Sequence, residues 1–361
     1  MTTKAKQLSL KNILNRYFIR GINGMSLGFF CTLVIGLIIK QIGTLIGGDI
    51  GNYIVQVSVL VTICTGAAVG IGVAYALDAP RLVLFSSAAV GLLGANATGF
   101  MSGTLVVDGI IKFSGPGELL GAFVAVVVGV EIGRLVSGKT KFDIILTPFT
   151  TIICGSIAGT MVGPPLSQAM FYLGEMIRLA TGLHPFLMGI VISVTMGMIL
   201  TLPISSAALS MILGLSGLSA GAATVGCATH MVGFAVTSFR ENKWEGLFAQ
   251  GLGTSMIQMP NVLKNPMICM PQVVVSAVLG PIATCVFYME NNPAGGGMGT
   301  SGFVGQLMTW QTMSPYTPGG ELFIKILLLH FVFPAILTLI ISESMRKKGY
   351  IKDGDMKLDA K

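Results

Sequence analysis

The chain has 361 residues, 53% of them hydrophobic and only 10% charged, with a mean hydropathy of +0.81. A soluble domain carries about 25% charged residues, so the composition excludes a soluble globular protein and describes one that threads a membrane repeatedly. The net charge of +7 gathers at the two ends and in short loops, the placement of orientation signals rather than of a nucleic-acid-binding surface, and no nucleic-acid partner is expected.

Residues 1–21 begin the chain with Lys4, Lys6, Lys11, Arg16 and Arg20 interleaved with Leu8, Leu10, Ile13, Leu14, Tyr17 and Phe18. This pattern predicts an amphipathic helix on the cytoplasmic membrane surface. No small-residue cleavage site follows, so no signal peptide is expected and the first apolar segment stays in the bilayer. Apolar spans come at 22–39, 53–77, 82–101 and 119–136. Residues 144–173 read as a longer stretch interrupted by glycine and proline, and 185–213 as another span. Residues 214–238 are small and weakly apolar and read as a re-entrant segment. Spans at 246–262 and 267–289, a glycine-rich segment at 293–313 and a last span at 322–342 complete the membrane part. The tail from Arg346-Lys347-Lys348 to Lys361 is charged and expected to be mobile.

The predicted fold is all-α and polytopic, with about 8–10 transmembrane helices and one or two re-entrant or broken-helix segments. Its units are the amphipathic helix 1–21, an N-terminal membrane scaffold 22–143, a C-terminal membrane unit 144–343 and a charged cytoplasmic tail 344–361. With both termini inside, the loops near Arg81, near Arg134, Lys139 and Lys141, and near Arg240 and Lys243 are cytoplasmic. Loops 40–52, 102–118 and 174–184, poorer in Lys and Arg, are external. Asp78 and Arg81 bracket a short turn as an ion pair or orientation signal, and Glu131 and Arg134 share a helical face at a span end.

The 48 glycines show no collagen period. Gly66 with Gly70, Gly117 with Gly121, Gly129 with Gly133, and Gly155, Gly159 and Gly163 in succession have the spacing of close helix contacts. Cys31, Cys64, Cys154, Cys227, Cys269 and Cys285 all lie in apolar stretches without a CxxC pair, so buried free thiols are expected, with no disulfide and no metal site.

Candidate functional residues gather after residue 160, where polar and helix-disrupting residues break the apolar pattern. The breaks fall at Gly163-Pro164-Pro165, at Thr201 to Ser206 around Pro203, at Gln258-Met259-Pro260-Asn261, at Lys264-Asn265-Pro266, and at Glu290-Asn291-Asn292-Pro293 before a glycine run. Broken helices beside amides and a few charges are how transporters build a site at membrane depth. Gln258 and Asn261 flank Pro260, which removes a helical N–H and frees a carbonyl four residues back; these amides can bind solute hydroxyls or patch the backbone. Glu290, Asn291 and Asn292 end an apolar span, where a charge is functional by default unless simply wet. His230 is a proton or solute candidate against a packing role, and His184 and His330 are weaker ones. Ser205 and Ser206 line a pathway or satisfy a kink. Gly295, Gly296, Gly297, Gly299 and Thr300 form a re-entrant tip, where glycine lets backbone approach closely. Gly297-x-Gly299-x-x-Gly302 has the dinucleotide spacing but no βαβ context, so no nucleotide and no other cofactor is expected.

Gly197-Met198 followed by Pro203-Ile204-Ser205-Ser206-Ala207-Ala208 resembles the glycine-methionine run and Gly-Gly-Pro-Val-Asn-Lys-Ala-Ala of fructose-type enzyme IIC, the membrane subunit of the sugar phosphotransferase system. Pro260 with Asn265-Pro266 resembles that branch's Thr-Glu-Gly-Ala-Ile-Pro-Phe segment ending in Asp-Pro, and the run 295–302 falls where it has Pro-His-Gly-Gly. Gln258-Met259-Pro260-Asn261 with Gly297 to Gly302 is similar to a compact IIC-like family of perfringolysin-regulator or toxin-regulator proteins, along nearly the whole chain. Met256 stands where the fructose branch has its glutamate, Ile199 where it has an aspartate, and Ser205-Ser206 where it has Asn-Lys.

The resemblance implies an enzyme IIC-like fold in a bacterial plasma membrane, a homodimer, and a solute such as a sugar carried by a mobile C-terminal unit. No IIA histidine or IIB cysteine domain is visible, so the chain reads as a transport subunit without a catalytic residue, and separate IIA and IIB proteins are its expected phosphoryl donors. A different class remains open: a membrane sensor that binds a small solute without moving it. A proton-coupled carrier is a third reading, with Glu290 and His230 as its candidates.

Overall fold

The structure, a computed structural model, describes residues 15–107, 110–111, 113 and 117–358. The predicted amphipathic helix lies outside the described residues as far as residue 14. From Asn15 the backbone is helical and runs on without a break, so that Ile19–Ile46 is a single apolar span of 28 residues.

Among the described residues, six helices are long and apolar enough to cross a membrane: Ile19–Ile46, Leu119–Val136, Asp143–Gly163, Gly217–Thr237, Pro266–Val286 and Gly319–Lys347. The pair Gly48–Ile63 and Thr65–Ala76, bent by 43°, makes a seventh span if taken as one, and Arg81–Ala95 and Pro185–Thr201 are shorter apolar helices. Counting these two as spans brings the total within the expected eight to ten. Val106–Val107 and Ile110–Ile111 form a small antiparallel ribbon in the loop before Leu119–Val136.

Small residues set the N-terminal packing. A Cβ on Gly70 would lie 2.0 Å from the Ser87 carbonyl oxygen, and one on Gly121 would lie 2.6 Å from that of Gly94. Gly133 and Gly155 meet Thr151 Oγ1 and Val90 Cγ1 equally closely. Without a hydrophobic drive between helices in lipid, such backbone approach is what holds them. The core formed around Met25, Val69, Val73, Val90 and Val126 also takes in Met256 and Met259 from the C-terminal part of the chain.

Several expectations are corrected, among them the burial of every cysteine, since Cys31 and Cys64 are exposed. Residues 144–173 are not interrupted: one helix runs from Asp143 to Thr181 through Gly163-Pro164-Pro165. Two prolines remove two N–H donors, and glycines 155, 159 and 163 keep the helix seated on Val90, Ala125 and Ala97. At 1.5 Å per residue it is about 58 Å long, well beyond a bilayer core of ~30 Å, and its far end enters a second core with Ile177, Ala180, Met188 and Ile192.

Nor is the segment 214–238 re-entrant. Gly217–Thr237 is an unbroken helix, its apolar window 94% buried by protein. It is weakly apolar because other helices, and not lipid, surround it. Gly226 packs on Ser193 and Gly221 on Met289, and Pro185–Thr201, Met270–Pro281 and Phe333–Lys347 enclose the rest.

At the turns, Asp78 pairs with Arg20 at 2.8 Å and not with Arg81, while Glu131 holds Arg16 at 2.7 Å and lies 3.9 Å from Arg134. The tail, as far as residue 358, is packed and not loose: Ile351 and Met356 are buried with Phe234, Ile268 and Cys269.

Candidate functional site

Two interrupted segments lie against the central helix, Gly217–Thr237. The first is a π-helical turn Ala249–Gly253, an extended Thr254, a 3-10 turn Ser255–Gln258 and the short helix Met259–Lys264. Thr254 Oγ1 accepts from Met256 N at 3.1 Å and so starts the new turn. The second is the helix Pro293–Gly296, a loop, the turn Ser301–Phe303 and the helix Val304–Met313. Their tips touch where Thr300 Oγ1 donates to the Gly251 carbonyl at 2.5 Å.

The glycine loop is as close-fitting as its composition requires. Gly299, with φ +54, has the Cys227 carbonyl carbon 2.7 Å from where its Cβ would be, and Gly297 has the Ser206 oxygen at 2.2 Å. A side chain at either position collides with the backbone it packs on. Phe303 also adopts φ +58, in the left-handed region.

The predicted site residues fall into three groups. His230, fully buried on the central helix, places Nδ1 2.9 Å from Thr201 Oγ1, which also lies 2.9 Å from Ser255 Oγ and 3.2 Å from the Gly197 oxygen. A hydroxyl has one proton and two acceptor lone pairs. With Thr201 donating to Gly197, both His230 Nδ1–H and Ser255 donate to Thr201, and His230 Nε2 is left buried without a partner. The His230 ring faces Gly197, where a Cβ would lie 3.0 Å from Nε2.

The second group is Asn291, Asn292, Ser206 and the glycines. Asn291 Nδ2 donates to Thr224 Oγ1 at 2.7 Å and to the Gly305 oxygen at 3.0 Å, and its backbone N–H reaches Gly217 O. Asn292 Oδ1 caps the following turn by accepting from Ala294 and Gly295, both at 3.1 Å. Ser206 donates to Gly297 O at 2.6 Å. These residues knit the loop to its neighbours; Ser205 has a partner of its own. Glu290, half-buried at the same end, accepts from the Tyr316 hydroxyl at 2.6 Å. Desolvation, then the hydrogen bond to Glu290 and its charge, push the Tyr316 phenol up to about 12, so it remains a donor.

Gln258 and Asn261 form the third group, and their hydrogens go to the C-terminal tail. Gln258 Nε2 donates to Gln250 Oε1 and to the Met356 carbonyl, both at 2.9 Å. Asn261 Nδ2 donates to Gln258 Oε1 at 2.9 Å and to the Lys357 carbonyl at 2.8 Å. The sequence offered no sign that a charged tail supplies these acceptors. It also left Gln250, Thr224, Asn242 and the Gln306–His330 contact at 3.0 Å unremarked, although isolated amides in apolar stretches were the available signal.

A cavity of about 650 Å³ opens beside this group. Leu27, Phe30 and Ile38 of the first span form one wall, and Phe248, Leu252 and Ile257 the opposite one. Lys357 and Leu358 also line it. Among the described residues, no group of three or more His, Cys, Asp or Glu side chains is arranged to hold a metal ion.

The sequence profile of the family described as "Phosphotransferase system, EIIC" matches residues 19–358. No curated protein sequence matches the chain.

Proposed function

The chain belongs to the EIIC family of the phosphotransferase system, a family of multi-pass membrane transporters, and from that premise we propose that it carries a sugar or similar polar solute by alternating access. The solute sits where the two interrupted segments meet on the central helix. The observation that supports this most directly is the contact of Thr300 with Gly251, which joins the tips of the two broken segments. Broken backbone at membrane depth is tolerated where protein or a solute cavity covers it.

In this reading His230, Ser205, Ser206, Glu290, Asn291 and Asn292 surround the solute, and the backbone of Gly295, Gly296, Gly297, Gly299 and Thr300 shapes its cradle. Gln258 and Asn261 join them only once the tail no longer takes their hydrogens. The unit 144–343 moves past the scaffold 22–143 in an elevator-like step, with the scaffold paired in a homodimer and both termini cytoplasmic. Separate IIA and IIB proteins supply the phosphoryl group where transport is coupled to phosphorylation.

The test is counterflow in proteoliposomes, using a solute first identified by thermal shift of the purified protein, since a ligand of the folded state raises apparent stability. Exchange of labelled solute is the expected outcome. Saturable binding without exchange makes the chain a sensor and overturns the transport reading.

A further inference from the structure

The tail is held by side-chain amides and not by strand or helix pairing. Met356 O accepts from both Gln258 Nε2 and Asn242 Nδ2, at 2.9 and 2.8 Å, and Lys357 O accepts from Asn261. Leu358 N donates back to Asn242 Oδ1 at 2.8 Å. Asn265 Nδ2 reaches Asp355 Oδ2 at 2.8 Å and Tyr350 O at 3.1 Å, while its Oδ1 caps the turn at Met267. Four amides spread over the first broken segment and its approach thus read the backbone and one carboxylate of residues 350–358.

We infer that residues 350–358 are a releasable strap that holds the first broken segment, and the seam between it and the first span, in the closed position. Five observations carry this. Gln258 and Asn261 each keep one hydrogen on a neighbouring amide and give only the other to the strap, so they stay held without it. The strap has two apolar anchors, Ile351 and Met356. It folds back at Gly349 and Gly354, whose φ angles of +78 and +92 lie in open space. Lys357 and Leu358 line the cavity between the first span and residues 248–257. Met256 and Met259 cross that seam into the core around Ile22 and Met25. Departure of the strap therefore frees the second hydrogens of Gln258 and Asn261 and widens the entrance to the seam in one step. The inference stands on these contacts alone and needs no solute.

Cys269 reports on it directly, being buried in one cluster with Ile351 and Met356. The experiment uses the full chain in detergent with a water-soluble maleimide and site-resolved mass spectrometry, so that exposed Cys31 and Cys64 are read separately. Met256→Cys is added as a reporter in the seam, and Cys227, buried on the central helix, as the internal control. Met356→Lys puts a charge among apolar side chains and expels the strap; a second variant ends the chain after Gly349. In both, Cys269 is expected to label at least about tenfold faster than in the parent, as for a local opening, with Met256→Cys rising alongside and Cys227 unchanged. Three results overturn the inference. Cys269 protected as before in both variants means the strap does not cover it. Faster labelling of Cys269 without Met256→Cys means it does not hold the seam. Labelling of Cys227 together with them means the tail is part of the global fold.

Discussion

A methyl group on Gly226 would lie 1.9 Å from the Ser193 carbonyl oxygen, whereas one on Gly320 would meet nothing within 4 Å. Both glycines are helical, so the difference is purely one of surroundings. Gly226 is where Pro185–Thr201 crosses the central helix, and neither backbone can give way without moving Thr201 and His230 with it. Gly226→Ala is expected to destabilise by about 3 kcal/mol, the upper range for overpacking a closed interior, read as a large fall in apparent Tm. Gly320→Ala is expected to raise stability by about 0.5 kcal/mol, through the lost freedom of the unfolded chain. Equal small shifts in the two variants contradict the packing argument. Gly197 makes the same kind of room for the His230 ring, whose Cδ2 lies 2.5 Å from where the Cβ would be. At this scale the sequence was informative about which residues are unusual and silent about their partners. His230 and Gln258 stand out in apolar surroundings, but Thr201 and the Met356 carbonyl, which they meet, lie 29 and 98 positions away.

At the scale of an element, polarity marked where helices break better than proline did. The Asn292-Pro293 break is real because Asn292 takes an extended backbone and its side chain receives two N–H groups of the next turn. Removing that acceptor by Asn292→Ala is expected to cost about 1 kcal/mol, the usual worth of an N-cap, and Asn292→Asp to restore most of it. Thermal melts in detergent measure this; a loss with both variants points instead to contacts that only the amide makes. Pro164-Pro165 carries no capping side chain ahead of it, since Val162 and Gly163 precede it, and there the helix continues. The central helix was hidden for a different reason. Hydropathy records contact with lipid, and a helix enclosed by other helices satisfies the same backbone bonds with glycine, alanine and threonine. The tail was hidden because a charged run says nothing of its anchors: Asp353 is 91% exposed, while Arg346 is buried against Glu241 and Ile351, Met356, the Asp355 carboxylate and backbone carbonyls do the docking.

For the whole molecule, the first span meets the first broken segment across one seam, and the ring of Phe30 is a close contact in it. Its Cε2 lies 2.2 Å from where a Cβ on Gly253 would be, so the first span presses on the π-helical turn that leads into the first broken segment. The N-terminal core is knit separately by glycine contacts among Thr65–Ala76, Arg81–Ala95 and Leu119–Val136, and does not depend on that ring. Phe30→Ala therefore loosens one side of the seam only. Hydrogen exchange of amides in residues 249–265 is expected to quicken by about tenfold, which corresponds to roughly 1.4 kcal/mol of local opening, while amides of Leu119–Val136 keep the rate of the parent. Uniform quickening in both regions makes the seam part of a single cooperative core, incompatible with a C-terminal unit that moves as a body. Unchanged exchange in residues 249–265 leaves the strap and the Thr300–Gly251 contact as the elements that hold the segment shut.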